Sequence, residues 1–258
     1  MKLGHQENTT SFNITSGKTI FYHLRLDITT TTRVLRSFQE WLSSSANVGK
    51  TIFFINAHCF NLSLINQAYC DSLNEADLLL NDGIGIKIAA KRKKLKILEN
   101  MNGTDLIPKL VSTAANQGAP VYILGGEPGI AEQAGKIWES KYSALKISGT
   151  HSGFFDNDAE ILEKINQSEA KVLIVGMGVP KQEIWIKKNI SLLTNIKCAI
   201  GGGAILDFTA GKFPRAPKII RALGLEWAFR LILEPKRLYK RYVIGIERIH
   251  KCRNKHED

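Results

Sequence analysis

What this chain lacks narrows its chemistry before any motif is read. Its four cysteines, Cys59, Cys70, Cys198 and Cys252, form no CxxC pair and keep no metal-like spacing with histidine. That pattern argues against a disulfide scaffold or a zinc module, and reads as the scattered reduced thiols of a cytosolic protein. No apolar run approaches the ~18–20 residues that span a bilayer, so any membrane contact is expected to be peripheral. Met1–Gly17 is polar and rich in Thr, Ser and Asn, unlike a signal peptide. No GxxxxGKS/T loop is present, which removes the P-loop NTPases. Nor does GxGxxG open the first βα unit with an acidic residue about 20 positions later, so a dinucleotide oxidoreductase has little support. No internal repeat or low-complexity linker interrupts the chain.

Acidic residues are scarce as well, with 24 Asp and Glu against 35 Lys and Arg over 258 residues, a formal charge of +11. The excess is uneven. Lys212–Asp258 holds 13 cations and 5 acids, so +8 of the +11 lies there. A basic tail of this kind meets nucleic acid, an anionic membrane surface or a phosphorylated ligand. Hydrophobic content of 44% with 23% charged residues is ordinary for a soluble protein with a proper core.

The chain is organised around Val172–Trp185, VLIVGMGVPKQEIW. Four aliphatic residues suit a strand buried on both faces of a parallel sheet. Gly176 and Gly178 break the run, and Pro180 stands where a helix begins. Strand, glycine turn and helix start together make an anion site at a strand's carboxyl edge, or an ordinary βα turn.

The same alternation recurs along the chain. Residues 1–18 read as a flexible lead-in, and Thr19–Asp27 as an edge strand or hairpin arm. Helices are expected over Thr31–Ser44, Leu62–Leu73, Ile84–Ala90, Leu106–Ala115, a stretch running through Trp138, and Ala159–Asn166. Strands are expected over Thr51–Ile55, Ala76–Leu80, Val121–Leu124, Leu145–Thr150 and Cys198–Ile200. Lys91–Lys96 is a dense basic run. Strands alternating with helices predict an α/β fold, a mostly parallel sheet wrapped by helices. After Gly211 the strands stop, and Arg, Lys and aromatic residues interleave along helices. The expected division is a lead-in over 1–18, a core over 19–211 and a basic helical appendage over 212–258.

Polar signatures gather where strands end: Asn56, Asp82, Gly125-Gly126, Gly178 with Gln182, and Gly201–Gly203. In an open α/β sheet these ends line one crevice, and glycines with helix N-termini suit a nucleotide diphosphate. Asp82, between an apolar strand and Gly83, serves as a general base or merely caps the next helix. Thr104 and Asp105 stand either at a ligand or as caps. In Gly211–Arg241 the arginines offer planar donor forks that match diphosphate oxygens, while the interleaved apolar residues suit an anionic interface.

NDG at Asn81–Gly83, GTDL at Gly103–Leu106, GMGVPKQEIW at Gly176–Trp185, RAP at Arg215–Pro217 and GLEWAFRLILEPKR at Gly224–Arg237 resemble the WecG/TagA/CpsF family of bacterial glycosyltransferases. The blocks run in the family's order from about Thr51 to Arg241. The resemblance implies a Rossmann-like core and an inverting, metal-independent transferase with no cofactor, working as a peripheral protein on the cytoplasmic face of the inner membrane. It implies transfer of a sugar, N-acetylmannosamine or its uronic acid favoured, from a UDP-sugar to a polyprenyl-diphosphate-linked sugar in cell-surface or exopolysaccharide synthesis. Asp82 matches the proposed base, Asn56 the strand-end asparagine, and Gln182 the glutamine of PKQE. Arg230, Arg237 and Lys240 or Arg241 match appendage cations thought to close over the site, and Asp207 with Phe208 remains from a GVGG-x-FD block.

The candidate ligand contacts are therefore Asn56, Thr104, Asp105, Gly125, Gly178, Gln182, Gly202, Asp207, Arg230, Arg237 and Arg241. Two positions depart from the family: Phe54 replaces a common threonine, and Asn100 a common arginine. UDP-glucose or another UDP-hexose is the alternative donor. A noncatalytic nucleotide-sugar-binding subunit and a nucleic-acid-binding protein are the rival classes; nucleic acid is not the expected partner, and self-association is left open.

Overall fold

Side chains alternate across each strand, and in this protein both faces of the sheet are buried. Phe53 and Ile55 join one core while Ile52 and Phe54 join the other. The same split separates Tyr122 and Leu124 from Val121 and Ile123, and Leu173 and Val175 from Val172 and Ile174. Continuous aliphatic runs are what a sheet covered on both sides requires. The computed structural model describes residues 17–46, 48–217, 220 and 226–233.

A hairpin of β1 (Gly17–Phe21) and β2 (Leu24–Ile28) precedes the main sheet. The strand begins at Gly17, so Gly17 and Lys18 leave the expected lead-in. α1 (Thr31–Ser43) starts after Thr30, whose side chain accepts from Arg33 N. β3 (Lys50–Ile55), α2 (Ala57–Ser63), α3 (Gln67–Asn74), β4 (Leu78–Asn81), α4 (Ile84–Arg92) and α5 (Gly103–Asn116) follow. Then come β5 (Val121–Gly125), α6 (Ile130–Lys141), β6 (Ile147–His151), α7 (Asp158–Gln167), β7 (Val172–Gly176) and α8 (Lys181–Asn189). β8 (Cys198–Gly201), the short α9 (Ile205–Thr209) and α10 (Glu226–Leu233) complete the described elements.

The six-stranded sheet has the order β4-β3-β8-β7-β5-β6, and every pairing in it is parallel. All six carboxyl ends therefore lie along one edge, with β8, the last strand among the described residues, inserted between β3 and β7. The hairpin packs against β4, where the buried Asp27 carboxylate accepts from Leu79 N at 2.8 Å and from Lys18 Nζ at 3.3 Å. An edge strand's spare donor is thereby occupied.

The single helix expected over 62–73 is two. Asn56 Oδ1 accepts from Cys59 N at 3.1 Å and Asn66 Oδ1 from Tyr69 N at 3.0 Å. Each asparagine caps its own helix, and the second cap breaks the run. The helix expected from Leu106 begins at Gly103, so Pro108 lies inside it. Of the appendage, Glu226–Leu233 is helical, as its pattern predicts.

Glycine is obligatory where β5 leaves the sheet. Gly125 has φ +147°, and a Cβ there would sit 2.5 Å from the Gly176 carbonyl carbon. Gly125→Ala is expected to lower the unfolding free energy by about 3 kcal/mol, read from urea denaturation of the full chain. A change under about 0.5 kcal/mol would mean that the β5 and β7 turns are free to separate.

Candidate active site

The hydrogen-bond ladder continues past the strand ends and shapes a cavity of about 600 Å³ at the carboxyl edge. Asp82 N donates to Ile55 O at 2.7 Å, Gly126 N to Gly176 O at 3.0 Å, and Gly202 N to Val175 O at 2.7 Å. Gly153 N donates to Gly126 O at 2.8 Å, joining the turn after β6 to the turn after β5. Asp82, Asn56, Gly126, Gly153, Gly178 and Gly202 thereby come from six different strand ends to one wall. Volumes of a few hundred Å³ suit a nucleotide-sized ligand.

Asp82 sits at the cavity wall, half-buried. The N-cap position of α4 is taken by Gly83, at φ +84°, with no side-chain cap. Gly83 N donates instead to Asn100 Oδ1 at 2.8 Å. Asn81 Nδ2 donates to Glu99 O at 3.0 Å, and Met101 N to Asn81 O at 3.0 Å. Residues 99–101 thus strap the NDG turn from outside, and the carboxylate is carried on a turn fixed at both ends.

Gln182 and Glu183 are buried at the start of α8. Gln182 Oε1 accepts from Gly203 N at 3.1 Å, and its Nε2 donates to Glu183 Oε1 at 2.7 Å. These two bonds fix which way the amide faces. Glu183 Oε2 is buried with no hydrogen-bond partner among the described residues, and burial pushes this carboxyl up to about 7. Burial, reinforced by the Glu183 charge, pushes the Cys59 thiol up to about 11, so Cys59 lines the cavity as a thiol and not as a nucleophilic thiolate.

Cations and acids share the rim. Lys181 Nζ donates to Gly153 O at 3.1 Å and lies 5.3 Å from the Phe155 ring centroid. Lys212 pairs with Glu127 at 2.7 Å across the mouth. Asp207 also lines the cavity. The N-terminus of α5 is held by Arg215, whose Nη2 donates to Thr104 Oγ1 at 2.8 Å and Asp105 Oδ1 at 2.7 Å. Glu226 Oε1 stands 3.7 Å from Arg215 Nε, and Asn102 Nδ2 donates to Glu226 Oε2 at 3.2 Å. Arg215 therefore clamps α5 to α10.

Of the residues singled out from sequence, Asn56, Asp82, Thr104, Gly178, Gln182, Gly202 and Asp207 line the cavity together. Gly125 lies behind its wall, packed on Gly176, and Asp105 is exposed and turned to Arg215. Arg237, Arg241 and the Arg230 side chain lie outside the described residues. Sequence reasoning passed over Lys181, Lys212, Glu127 and His58 as cavity residues. For Glu127 a signal existed: an acid inside a glycine turn, GGEPG, at a strand end. Lys212 had none, since its place depends on how α9 folds back.

Comparison with known proteins places this architecture. The model of the Glycosyl transferase WecG/TagA/CpsF family matches residues 19–250. Among curated proteins, the chain is similar to the N-acetylglucosaminyldiphosphoundecaprenol N-acetyl-beta-D-mannosaminyltransferase of Staphylococcus aureus strain MRSA252, 27% identical over 213 residues, covering 82% of this chain and 83% of the relative. The protein of the same description from strain COL matches at 27% over the same span.

The raised Glu183 carboxyl has a consequence for stability. The folded form holds this proton more tightly than the unfolded chain, whose glutamate ionises near its ordinary 4.5. Its stabilising contribution is complete below pH 4.5 and is lost as pH rises through about 7. Between pH 5 and 8, Glu183→Gln is expected to lose about 2 kcal/mol less unfolding free energy than the unsubstituted chain. Parallel pH dependences in urea titrations would place the ionised carboxylate in the core without penalty.

Proposed function

This chain belongs to the WecG/TagA/CpsF family and is a glycosyltransferase, and we propose that it moves a sugar from a UDP-sugar to a polyprenyl-diphosphate-linked sugar with inversion. N-acetylmannosamine is the favoured donor sugar, because the similar Staphylococcus aureus proteins carry N-acetylmannosaminyl transfer to an undecaprenol-diphosphate-linked N-acetylglucosamine in their names. The observation that carries the reading is that the Asp82 carboxylate and the glycine turns of β5, β7 and β8 open onto one cavity.

In this mechanism Asp82 takes the proton of an acceptor hydroxyl. That oxygen attacks the anomeric carbon from the face opposite UDP, a new glycosidic bond forms, and the bond to UDP breaks with its electron pair on the β-phosphate. The α8 N-terminus stabilises the developing charge. Lys181 and Lys212 at the rim add positive charge from flexible stems. We assign this charge to donors of the protein without a resident metal. Gln182, fixed by Glu183 and Gly203, presents an oriented amide to the donor.

No described helix is long and apolar enough to cross a membrane. The lipid-linked acceptor is therefore met at the bilayer surface, for which the cytoplasmic face is the proposed side. The basic residues 234–258 would contribute there, with Arg230, Arg237 and Arg241 closing over the ligand.

Asp82→Asn is expected to lower turnover roughly a hundredfold to ten-thousandfold while leaving the unfolding midpoint unchanged. The assay is UDP release across a panel of nucleotide sugars with a polyprenyl-diphosphate-sugar acceptor. Near-normal turnover in that variant removes Asp82 as the base. Release with UDP-glucose and not UDP-N-acetylmannosamine would move the donor assignment, and tight donor binding without release would favour a noncatalytic subunit.

A further inference from the structure

Outside the cavity, the most concentrated positive charge among the described residues lies on α4 and the turns after it. Between Gly83 and Leu98 there are six cations, Lys87, Lys91, Arg92, Lys93, Lys94 and Lys96, and no acid. All six side chains are exposed. None takes part in an ion pair formed among the described residues. Only Lys93 turns inward, over the Tyr22 ring at 4.7 Å.

The same helix exposes two large aliphatic side chains, Ile84 at 43% and Ile88 at 50%. At 3.6 residues per turn these share a face with Lys91, and Lys87 and Arg92 flank it. Ile86 and Ala90 point the other way and are buried. An aliphatic centre bordered by long cationic side chains fits an anionic lipid surface: the isoleucines enter the headgroup boundary and the cations remain among the phosphates. Nucleic acid offers no counterpart to the isoleucine pair. The first turn of α4 follows directly on Asp82 and Gly83, so this face begins at the rim of the cavity.

We propose that the outer face of α4, with residues 91–96, is a lipid-contact surface that seats the mouth of the cavity against an anionic bilayer. It belongs to the α/β core and is separate from the C-terminal appendage. Its purpose rests on the reading of the acceptor as lipid-linked, but the binding itself does not. Each cation close to such a surface strengthens attachment about fivefold, so loss of two is expected to be measurable even with the basic C-terminal residues in place.

The test uses the full chain and sedimenting vesicles made of equal parts phosphatidylglycerol and phosphatidylcholine. Lys87→Gln with Lys91→Gln is expected to weaken partition about tenfold or more. Ile88→Ser is expected to weaken it severalfold without changing the salt dependence. In a Cys252→Ser background, Ile88→Cys carrying an environment-sensitive dye is expected to shift to shorter wavelength when vesicles are added. Partition of the double lysine variant equal to that of the parent overturns the proposal. So does a dye that ignores vesicles, or one already shielded without them, which would mean that another protein surface covers α4. Salt-sensitive binding to an oligonucleotide with none to vesicles overturns it too. None of these readouts needs a turnover, so failure of the transferase reading leaves them intact. With a short-chain, water-soluble acceptor, transfer by these variants is expected to match the parent, while transfer to a bilayer-embedded acceptor falls.

Discussion

Backbone hydrogen bonds that run beyond the strand ends are the constraint on which the cavity depends. A parallel sheet aligns six carboxyl ends, but alignment alone would leave their turns free to splay. Here Asp82 N is bound to β3, Gly126 N to β7, and Gly202 N also to β7. Each turn is thus held by a neighbouring strand, and the wall is as rigid as the sheet. The cost falls on side chains. A Cβ on Gly176 would meet Leu206 at 2.7 Å, and one on Gly202 would meet Ile205 at 2.9 Å. Turns this close to their neighbours leave little room for a side chain, and glycine also lets a ligand approach the backbone closely.

Two polar clusters, one buried and one partly exposed, hold the parts that the sheet does not. Gln182 and Glu183 tie α8 to the turn after β8. An unpartnered carboxylate oxygen in a core is expensive, and the carboxyl lowers that cost by keeping its proton to about pH 7. What is gained is an amide whose orientation is set before a ligand arrives. Arg215 does the analogous task for α5 and α10, through Thr104, Asp105 and Glu226. Its pairs are partly shielded from water, so they are screened less than exposed ones.

These clusters mark the boundary of what was legible in the chain. Runs such as VLIV and TIFFI announce buried strands because both faces demand aliphatic residues, and their glycine exits announce the crevice. The parallel sheet, the order of its elements and the strand-end residues of the cavity, such as Asn56, Asp82 and Gly178, followed from that local pattern. Asn66 was not read as a cap, because the apolar spacing on either side of it continues a helical period. Arg215 was read as a donor fork for a ligand, yet its partners Thr104 and Asp105 lie 111 and 110 positions away in sequence. The raised carboxyl of Glu183 depends on how deeply α8 is buried, which no local pattern encodes.

The two departures from the family pattern flank the turn that carries Asp82: Phe54 lies on β3 in register with Leu80 of β4, and Asn100 holds Gly83. Asn100 accepts from Gly83 N, a bond an arginine side chain cannot make because guanidinium has no acceptor. Asn100 is therefore an anchor of the turn that carries Asp82, a role the family's common arginine could not fill. Phe54 lines the cavity, and a Cβ on Gly103 would meet its ring at 3.6 Å, so a ring stands where a threonine hydroxyl would otherwise face the ligand. Phe54 brings no polar group to the cavity and Asn100 spends its acceptor on the turn, so neither adds a positive charge there; among the described residues, Lys181 and Lys212 are the lysines that line the cavity. In the proposed transfer, the negative charge that grows on the leaving diphosphate is then met by these lysines and not by a cation at position 100. An uncharged residue there suits the chemistry, since a cation beside Asp82 would lower its affinity for the proton it has to remove.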